Sequence, residues 1–300
     1  MKKAFFIILS FLVITLVALF YVKTDKNIEL KTEDNPVIIP QSENKPENYL
    51  QITFLDVGQG DAGFIEWPNG EQMLVDCGKD SKVLSGLGSV MSFYDKHIDY
   101  LLVTHPDMDH YGGCIDVLKR FEVGQIIYNG VQGDSEAWKY FWDLVLENNI
   151  ENKKISAFDV WEIDGSQIKF LYPDKEVFGK NDNDKSIVFV LSYGESDILF
   201  TGDAEEELEK YLLENYEEYL DVEILKVAHH GSNGSSSEDF LNKVSPEYSV
   251  ISVGKDNYYR HPSLRAVKRI ERIGSGVFRT DMEGDIAFKI YQDGVERLFE

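Results

Sequence analysis

The chain has 300 residues, of which 43% are hydrophobic and 13% aromatic, so it can fill a substantial core and is not an intrinsically disordered protein. Its formal net charge is −23, and no basic patch interrupts the acidic sequence. This composition argues against a broad cationic surface for nucleic acid. No internal repeat is visible, so we expect one catalytic-sized domain over about 49–300.

Residues 1–22 begin with two lysines and continue as an apolar run interrupted only by Ser10 and Thr15. The run lies near the lower limit of a membrane-spanning helix, roughly 17 to 25 residues. A cleaved signal peptide is the alternative, but no small-x-small cleavage pattern follows the run. We therefore predict a single-pass anchor with the rest of the chain extracellular. A secreted protein remains the alternative.

Residues 23–48 are polar, contain three prolines and show no sustained hydrophobic period, which predicts a linker. Beyond it, apolar and alternating runs predict strands near 50–57, 62–67, 72–76, 98–104, 123–128, 167–172, 187–193, 196–201, 222–228, 248–253 and 285–291. Helical spacing predicts helices near 112–121, 135–148, 204–218, 237–244 and 263–273. This order favours an α/β fold with two mixed sheets packed face to face and covered by helices.

The segment LLVTHPDMDHYGG (residues 101–113) places four candidate ligands on one turn after an apolar strand: His105, Asp107, Asp109 and His110. Residues two apart can converge on one ion while the next two serve a second. Two ions about 3.5 to 4 Å apart are the usual arrangement for metal-assisted hydrolysis. The alternative is a calcium-like acidic loop or a solvated turn.

Other candidates follow later strands. Asp203 could bridge two ions, although it could equally cap the helix that follows. His229 and His230 end a predicted strand, where successive side chains alternate, so we expect one metal ligand, with His230 favoured, and one residue facing substrate. His261 and Asn183 are further candidates near substrate.

Cys77 and Cys114 lie in glycine-flanked turns. A disulfide is possible in an exported protein, but spacing alone cannot establish one. We interpret both cysteines as small buried hydrophobic residues.

Together the segments TFLDVGQGDAGFI, MLVDCG, LLVTHPDMDHYGG, NDKSIVFVL, LFTGD, LKVAHHGS, SVGKDNYYRHPS and RTDMEGDIAF resemble the metallo-β-lactamase superfamily over about 50–290. More narrowly, the chain is similar to the hydrolase domain at the C-terminus of ComEC-type DNA-uptake proteins. The resemblance implies a four-layer αββα sandwich with two metal ions at one edge. The metal ligands it implies are His105, Asp107, Asp109, His110, Asp203 and one of His229 and His230; the resemblance does not settle which, and we favour His230.

Two features depart from the lactamase pattern. Asp107 stands where lactamases carry histidine, and their middle histidine ligand has no counterpart, since Asn183 occupies that stretch. Harder oxygen ligands favour manganese, while zinc stays possible.

The resulting hypothesis is a membrane-tethered hydrolase that cleaves a phosphodiester, with DNA or another nucleic acid as the leading substrate, through a metal-activated hydroxide. One ion would be held by Asp109, His110 and one of the adjacent histidines, the other by His105 and Asp107, with Asp203 between them. Residues expected to act in catalysis are Asp109, His229, His261 and Asn183, and residues expected to line or support the site are Asp56, Gln59 and Asp61. The alternatives are a phosphoesterase acting on a small or cell-wall phosphodiester, and a non-catalytic accessory module. No protein partner is predicted.

Overall fold

A computed structural model describes residues 48–174 and 182–299. The predicted anchor and all but the last residue of the predicted linker lie outside the described residues. Among the helices within the described ranges, none combines the length and the apolarity needed to cross a membrane.

The strands of the described residues are β1 (Leu50–Phe54), β2 (Gly63–Glu66), β3 (Gln72–Val75), β4 (His97–Val103), β5 (Glu122–Tyr128), β6 (Glu151–Lys154), β7 (Val160–Ile163), β8 (Ser166–Tyr172), β9 (Val188–Tyr193), β10 (Ser196–Phe200), β11 (Ile224–Lys226), β12 (Tyr248–Ile251), β13 (Gly276–Arg279), β14 (Ile286–Tyr291) and β15 (Gly294–Leu298). The α-helices are α1 (Lys82–Val90), α2 (Met108–Tyr111), α3 (Cys114–Leu118), α4 (Glu136–Glu147), α5 (Glu206–Asn215), α6 (Glu238–Val244), α7 (Leu264–Arg272) and α8 (Thr280–Glu283). Short 3₁₀ turns lie at Asn183–Lys185, Glu217–Tyr219 and Ala228–Gly231.

Two mixed sheets form the middle of the molecule. The first has the order β15-β14-β1-β2-β3-β4-β5-β6 and the second β13-β12-β11-β10-β9-β8-β7. Their facing sides share one apolar core, in which Phe54 of the first sheet lies 6.0 Å, ring to ring, from Phe200 of the second. The alternating burial of β14 shows the pattern of a strand with one face in this core.

Helices cover the outer faces of both sheets. Trp138 and Phe141 of α4 pack with α1, α2 and α3 over the first sheet. Leu212 of α5 and Phe240 of α6 pack with α7 over the second. The layers therefore run helix, sheet, sheet, helix, which is consistent with the predicted αββα sandwich.

Parallel pairing brings the candidate site together. Strands β3 to β6 are parallel neighbours in the first sheet, as are β10 to β13 in the second. The carboxyl ends of parallel strands lie at one edge of a sheet. His105 follows β4, Asp203 follows β10 and His230 follows β11, so strand direction places all three at the edge.

Every strand and helix predicted within the described residues has a counterpart, whereas several short elements were missed. The missed elements are β6, β7, β13, β15, α1, α2 and α8. β6 reads ENKK and is exposed throughout, so it has no apolar alternation to detect. α1 contains two glycines, which weaken a helical pattern. The strand predicted over 222–228 ends at Lys226, which bears on the histidines that follow.

Cys77 and Cys114 form a disulfide, with their Cα atoms 5.2 Å apart. Our interpretation of them as free buried residues was therefore wrong. Both cysteines are buried as predicted, but the turn after β3 places Cys77 against Cys114, the first residue of α3. Gly113 permits this approach, because a Cβ atom there would lie 2.1 Å from the Cys77 carbonyl oxygen. The bridge closes the segment that contains the His105 to His110 turn.

We expect the double substitution Cys77→Ser and Cys114→Ser to lower the free energy of unfolding by about 3 to 4 kcal/mol, because the bridge spans a sequence separation of 37. Urea unfolding of the purified variant measures this change. Reducing agent should shift the wild-type midpoint in the same direction and leave the variant unaffected. An unchanged midpoint in the variant would show that the bridge adds no stability.

Candidate metal centre

The His105 to His110 turn points its histidine rings into the protein. β4 ends at Val103, and the chain turns through Asp107 into the single turn of α2. His105 and His110 are both fully buried, with ring centroids 4.1 Å apart. Short sequence spacing and a tight turn therefore place two imidazoles side by side at the sheet edge.

Asp203 lies at the centre of the cluster and is buried. Its Oδ1 lies 3.2 Å from His110 Nε2, whereas its Oδ2 lies 4.0 Å from His105 Nε2 and 3.8 Å from His230 Nε2. His230 Nε2 is also 3.3 Å from Asp109 Oδ2. The two carboxylate oxygens of Asp203 thus face different histidines.

Candidate ligand atoms gather within 4.8 Å of one another in overlapping groups. One group is His105, His110 and Asp203, and another is Asp109, His110 and His230. Two further groups include Asp61, a residue predicted only to support the site. Asp107 is outside these groups. Its partly exposed carboxylate lies 3.6 Å from His105 Nε2, at the open side of the cluster.

The candidate ligand atoms of this cluster are suited to binding divalent metal ions. Buried atoms without a hydrogen-bond partner include the Nε2 atoms of His105, His110 and His230 and Oδ1 of Asp203. Leaving such atoms unsatisfied costs free energy, and their convergence indicates a ligand that accepts their lone pairs. Imidazole nitrogens with carboxylate oxygens suit zinc, manganese or iron.

Hydrogen bonds behind the rings fix which nitrogen faces the cluster. His110 Nδ1 lies 2.8 Å from Asp76 Oδ2, and the hydroxyl of Thr104 donates to the same oxygen at 2.7 Å. His230 Nδ1 donates to the Ser252 carbonyl oxygen at 2.9 Å. Each ring therefore turns Nε2 toward the cluster, which is the usual way that outer partners orient metal-binding histidines.

A buried ion pair lies beneath the cluster. Lys226 is 3% exposed, and its Nζ lies 2.6 Å from Asp61 Oδ2. Asp61 Oδ1 is in turn 3.2 Å from His230 Nδ1. Burial would raise the pKa of Asp61, but the charge of Lys226 and contact with His230 lower it. Asp61 is therefore a buried carboxylate whose charge is stabilised mainly by Lys226 and also by His230.

Replacing Lys226 with methionine should destabilise the protein by about 3 to 5 kcal/mol, because Asp61 would keep a buried charge without its partner. Lys210→Met is the matched control, since Lys210 pairs with Glu214 at an exposed helix surface. The control should change stability by less than about 1 kcal/mol. Urea unfolding distinguishes them, and equal, small effects would show that the buried pair is not needed. Adding Asp61→Asn to Lys226→Met should recover much of the loss.

Opposing charges shift the pKa values of the cluster. Burial would raise the pKa of Asp203, but the positive charges of His110 and His230 hold it well below its usual range. Burial opposes protonation of His230, yet Asp203 and Asp109 raise its pKa to about 10. Asp203 and Asp76 similarly raise the pKa of His110 well above its usual value. The buried carboxylates thus give the cluster an electrostatic preference for a positively charged group.

The adjacent histidines lie in a turn and not in a strand. Both have left-handed backbone conformations, with φ of 49° at His229 and 53° at His230. The premise that strand alternation separates them was therefore wrong, although their side chains do lie in different places. His230 is 1% exposed and belongs to the cluster, whereas the His229 side chain is 22% exposed.

His229 lies at the rim with the remaining predicted residues. Its Nδ1 is 3.3 Å from Glu205 Oε1, and Asn183 Nδ2 donates to the same oxygen at 3.2 Å. The His261 ring centroid lies 5.6 Å from that of His229 and 6.5 Å from that of His230. Burial and the charges of these histidines lower the pKa of His261 to about 4.

Several residues that support the site were not predicted from the sequence, and some predicted ones make other contacts. Asp76 and Lys226 received no role, although a lysine inside the apolar run EILKVA is a usable signal for a buried ion pair. Asp56 was expected to line or support the site, but it is exposed and accepts a hydrogen bond from the Gly58 N–H in its own turn. Gln59 instead accepts a hydrogen bond from the Gly254 N–H.

Comparison with known proteins agrees with this geometry. The model of the metallo-beta-lactamase superfamily matches residues 55–255. Competence protein ComA of Neisseria gonorrhoeae is 34% identical over 256 residues, which cover 84% of this chain and 34% of that protein. ComE operon protein 3 of Bacillus subtilis is 28% identical over 257 residues, covering 80% of this chain and 33% of that protein. The chain spans about a third of the length of these curated relatives.

Among solved structures, the metallo-beta-lactamase fold protein YhfI from Bacillus subtilis aligns with a TM-score of 0.54 at 11% identity, covering 81% of this chain and 100% of that chain. At this identity the likeness concerns the fold. The family match and the sequence relatives confirm the resemblance that the motifs indicate. The chain belongs to the metallo-β-lactamase superfamily, and its relatives include ComEC-type competence proteins.

Proposed function

We propose that this protein is an exported, metal-dependent phosphodiesterase that acts on nucleic acid. The fold is usually that of a metal-dependent hydrolase. The observation that carries the proposal is the convergence of three buried imidazole Nε2 atoms on the central carboxylate of Asp203. Burying these nitrogen and oxygen atoms without hydrogen-bond partners would cost free energy of folding in a module that binds only through its surface.

Two divalent ions can be assigned to the chain's own ligands. Asp109, His110 and His230 would hold one ion, and His105 with Asp107 would hold the other. Asp203 would contribute to both sites, since its carboxylate lies 3.2 Å from His110 Nε2 and 3.8 Å from His230 Nε2 in one ligand set and 4.0 Å from His105 Nε2 in the other. When bound, the ions would lower the pKa of a water molecule and neutralise charge that develops on the phosphate oxygens.

The rim residues would bind and orient the substrate. Asn183 and His229 both lie against Glu205 Oε1, so their side chains are held at the open side of the cluster. A phosphate entering from that side would meet the His229 ring before it reached Asp203, since His229 Nε2 is 3.9 Å from Asp203 Oδ2. We assign His229 and Asn183 to contacts with the phosphate or the leaving group. His261 would support the His229 ring from the solvent side.

Hydrolysis assays distinguish nucleic acid from the alternative class of substrate. The net charge of −23 disfavours a long contact with duplex phosphates, so a small or cell-wall phosphodiester is the alternative substrate. Purified full-length protein should hydrolyse bis-p-nitrophenyl phosphate and oligonucleotides after addition of manganese, and Asp203→Asn should not. Turnover of phosphorylcholine esters without turnover of oligonucleotides would show that a small or cell-wall phosphodiester is the substrate. No hydrolysis of any phosphodiester with manganese or zinc bound would overturn the proposal.

The cellular location is part of the same proposal. The Cys77–Cys114 disulfide supports an oxidising, extracytoplasmic environment. We expect the full-length protein to fractionate with membranes and to keep residues 1–22, because the apolar run lacks a cleavage pattern. N-terminal sequencing of the membrane fraction checks this expectation. A soluble form in the medium that begins after Val22 would identify a signal peptide instead.

A further inference from the structure

Two adjacent tyrosines beside the metal centre are unusually exposed. Tyr258 is 94% exposed and Tyr259 is 64% exposed, and their ring centroids lie 6.0 Å apart. Both lie in the loop between β12 and α7. Exposed apolar surface indicates a binding site where it adjoins a functional centre, and the position of these two rings meets that condition.

The tyrosines continue a series of rings that begins at the cluster. Tyr259 stacks on His261 with an interplanar angle of 10° and a centroid distance of 5.8 Å. His261 in turn lies 6.5 Å from His230, a member of the buried cluster. The platform formed by Tyr258 and Tyr259 is therefore one ring removed from the metal centre, within the reach of a substrate held there.

The loop that carries this platform is held by hydrogen bonds. Asn257 Nδ2 donates to the carbonyl oxygens of Gly254 at 2.9 Å and His261 at 2.6 Å, and Asn257 Oδ1 accepts from the His261 N–H. The Ser263 N–H donates to the Gly231 carbonyl oxygen, next to His230. The rings are thus presented by a braced loop, which lowers the entropy lost when a ligand binds.

The charges beside the platform select among ligands. Lys255 and Arg260 are exposed on the same loop as one exposed carboxylate, Asp256, so the loop is locally cationic in a chain whose net charge is −23. Cations next to aromatic faces suit a polyanion with planar bases, because the cations contact phosphate while the rings stack. The same cations repel a quaternary ammonium group such as choline.

We propose that Tyr258 and Tyr259 form a stacking platform for unpaired bases that flank the scissile phosphate, so that the substrate is single-stranded nucleic acid. Paired bases cannot open their faces to such a platform, whereas single strands stack on aromatic side chains without regard to sequence. This inference rests on the proposed phosphodiesterase function and names its substrate. A short contact of this kind also suits an acidic protein that has no long basic groove.

Binding of a short, labelled single strand to the full-length protein, measured by fluorescence anisotropy, tests the platform without requiring turnover. We expect Tyr258→Ala with Tyr259→Ala to weaken binding by at least about 10-fold, and the double phenylalanine variant to restore most of the loss. The matched control is Phe93→Ala with Tyr94→Ala. These rings are 81% and 89% exposed and 5.2 Å apart, but they precede β4 and so lie at its other end from His105.

Comparison strands, the control variant and a competitor decide the question. An abasic strand should bind wild type weakly and should be insensitive to the tyrosine substitutions. Equal binding of abasic and base-bearing strands, or equal effects of the control pair, would overturn the platform. Competition by phosphorylcholine that depends on the tyrosines would overturn it in favour of a quaternary ammonium site. Hydrolysis of small phosphodiesters alongside either negative result would leave the proposed function standing, and base-dependent binding without any hydrolysis would refute that function alone.

Discussion

Asp203→Asn is expected to abolish hydrolysis, with turnover reduced by about 10³-fold or more and with loss of bound metal. Asp203 lies between the three buried histidines, with Oδ1 facing His110 and Oδ2 facing His105 and His230, so its loss removes the carboxylate at the centre of the cluster. The amide keeps the shape of the side chain but removes the charge that the cations require. Steady-state assays with a small phosphodiester and metal analysis of the same sample measure both effects.

Asp197→Asn is the matched control for this variant. Asp197 lies in β10 near its start, whereas Asp203 follows the end of the same strand. The control should keep full metal content and full turnover, and circular dichroism should show both variants folded. Full activity and unchanged metal content in Asp203→Asn would remove Asp203 from the site.

His230→Ala and His229→Ala are expected to have different defects. His230 is buried with Nε2 turned toward Asp109 and Asp203, so its loss should strip metal from the protein. His229 is partly exposed at the rim, so its loss should leave metal in place. Turnover of His229→Ala should fall by roughly 10²- to 10³-fold, with little change in KM, because the lost contact is made mainly in the transition state.

Metal analysis and kcat measured on the same preparations separate the two histidines. His97→Ala serves as the control, since the His97 side chain is exposed at the start of β4 and its Nε2 lies 3.3 Å from Asp99 Oδ1, away from the cluster. The assignment fails if the His229 and His230 variants share the same metal content and the same rate.

The fold was predictable wherever a strand or helix packs one face into a core. β14 alternates buried and intermediate residues, and β1 is almost wholly buried, so hydrophobic pattern alone locates them. The edge strand β6 is exposed and polar, because only one neighbour pairs with it and no layer covers it. Its position depends on pairing with β5, which local sequence does not encode.

The site was predictable where its residues are close in sequence. His105 and His110 fall within one turn, so their spacing indicates a shared ligand. Asp76 follows β3 and reaches His110 through the pairing of β3 with β4, whereas Lys226 ends β11 and reaches Asp61 only because the two sheets pack together. The geometry of the adjacent histidines also depends on two consecutive left-handed residues, a conformation that non-glycine sequence patterns do not predict.

The central claim is that this chain binds a pair of divalent ions through Asp203. Its most direct test is the number of Mn²⁺ ions bound at saturation by the full-length protein, counted after equilibrium dialysis. We expect two ions per chain in the wild type and a loss of both high-affinity sites in Asp203→Asn. A wild-type chain that binds no ion under these conditions, or binding that is unchanged in Asp203→Asn, would contradict it.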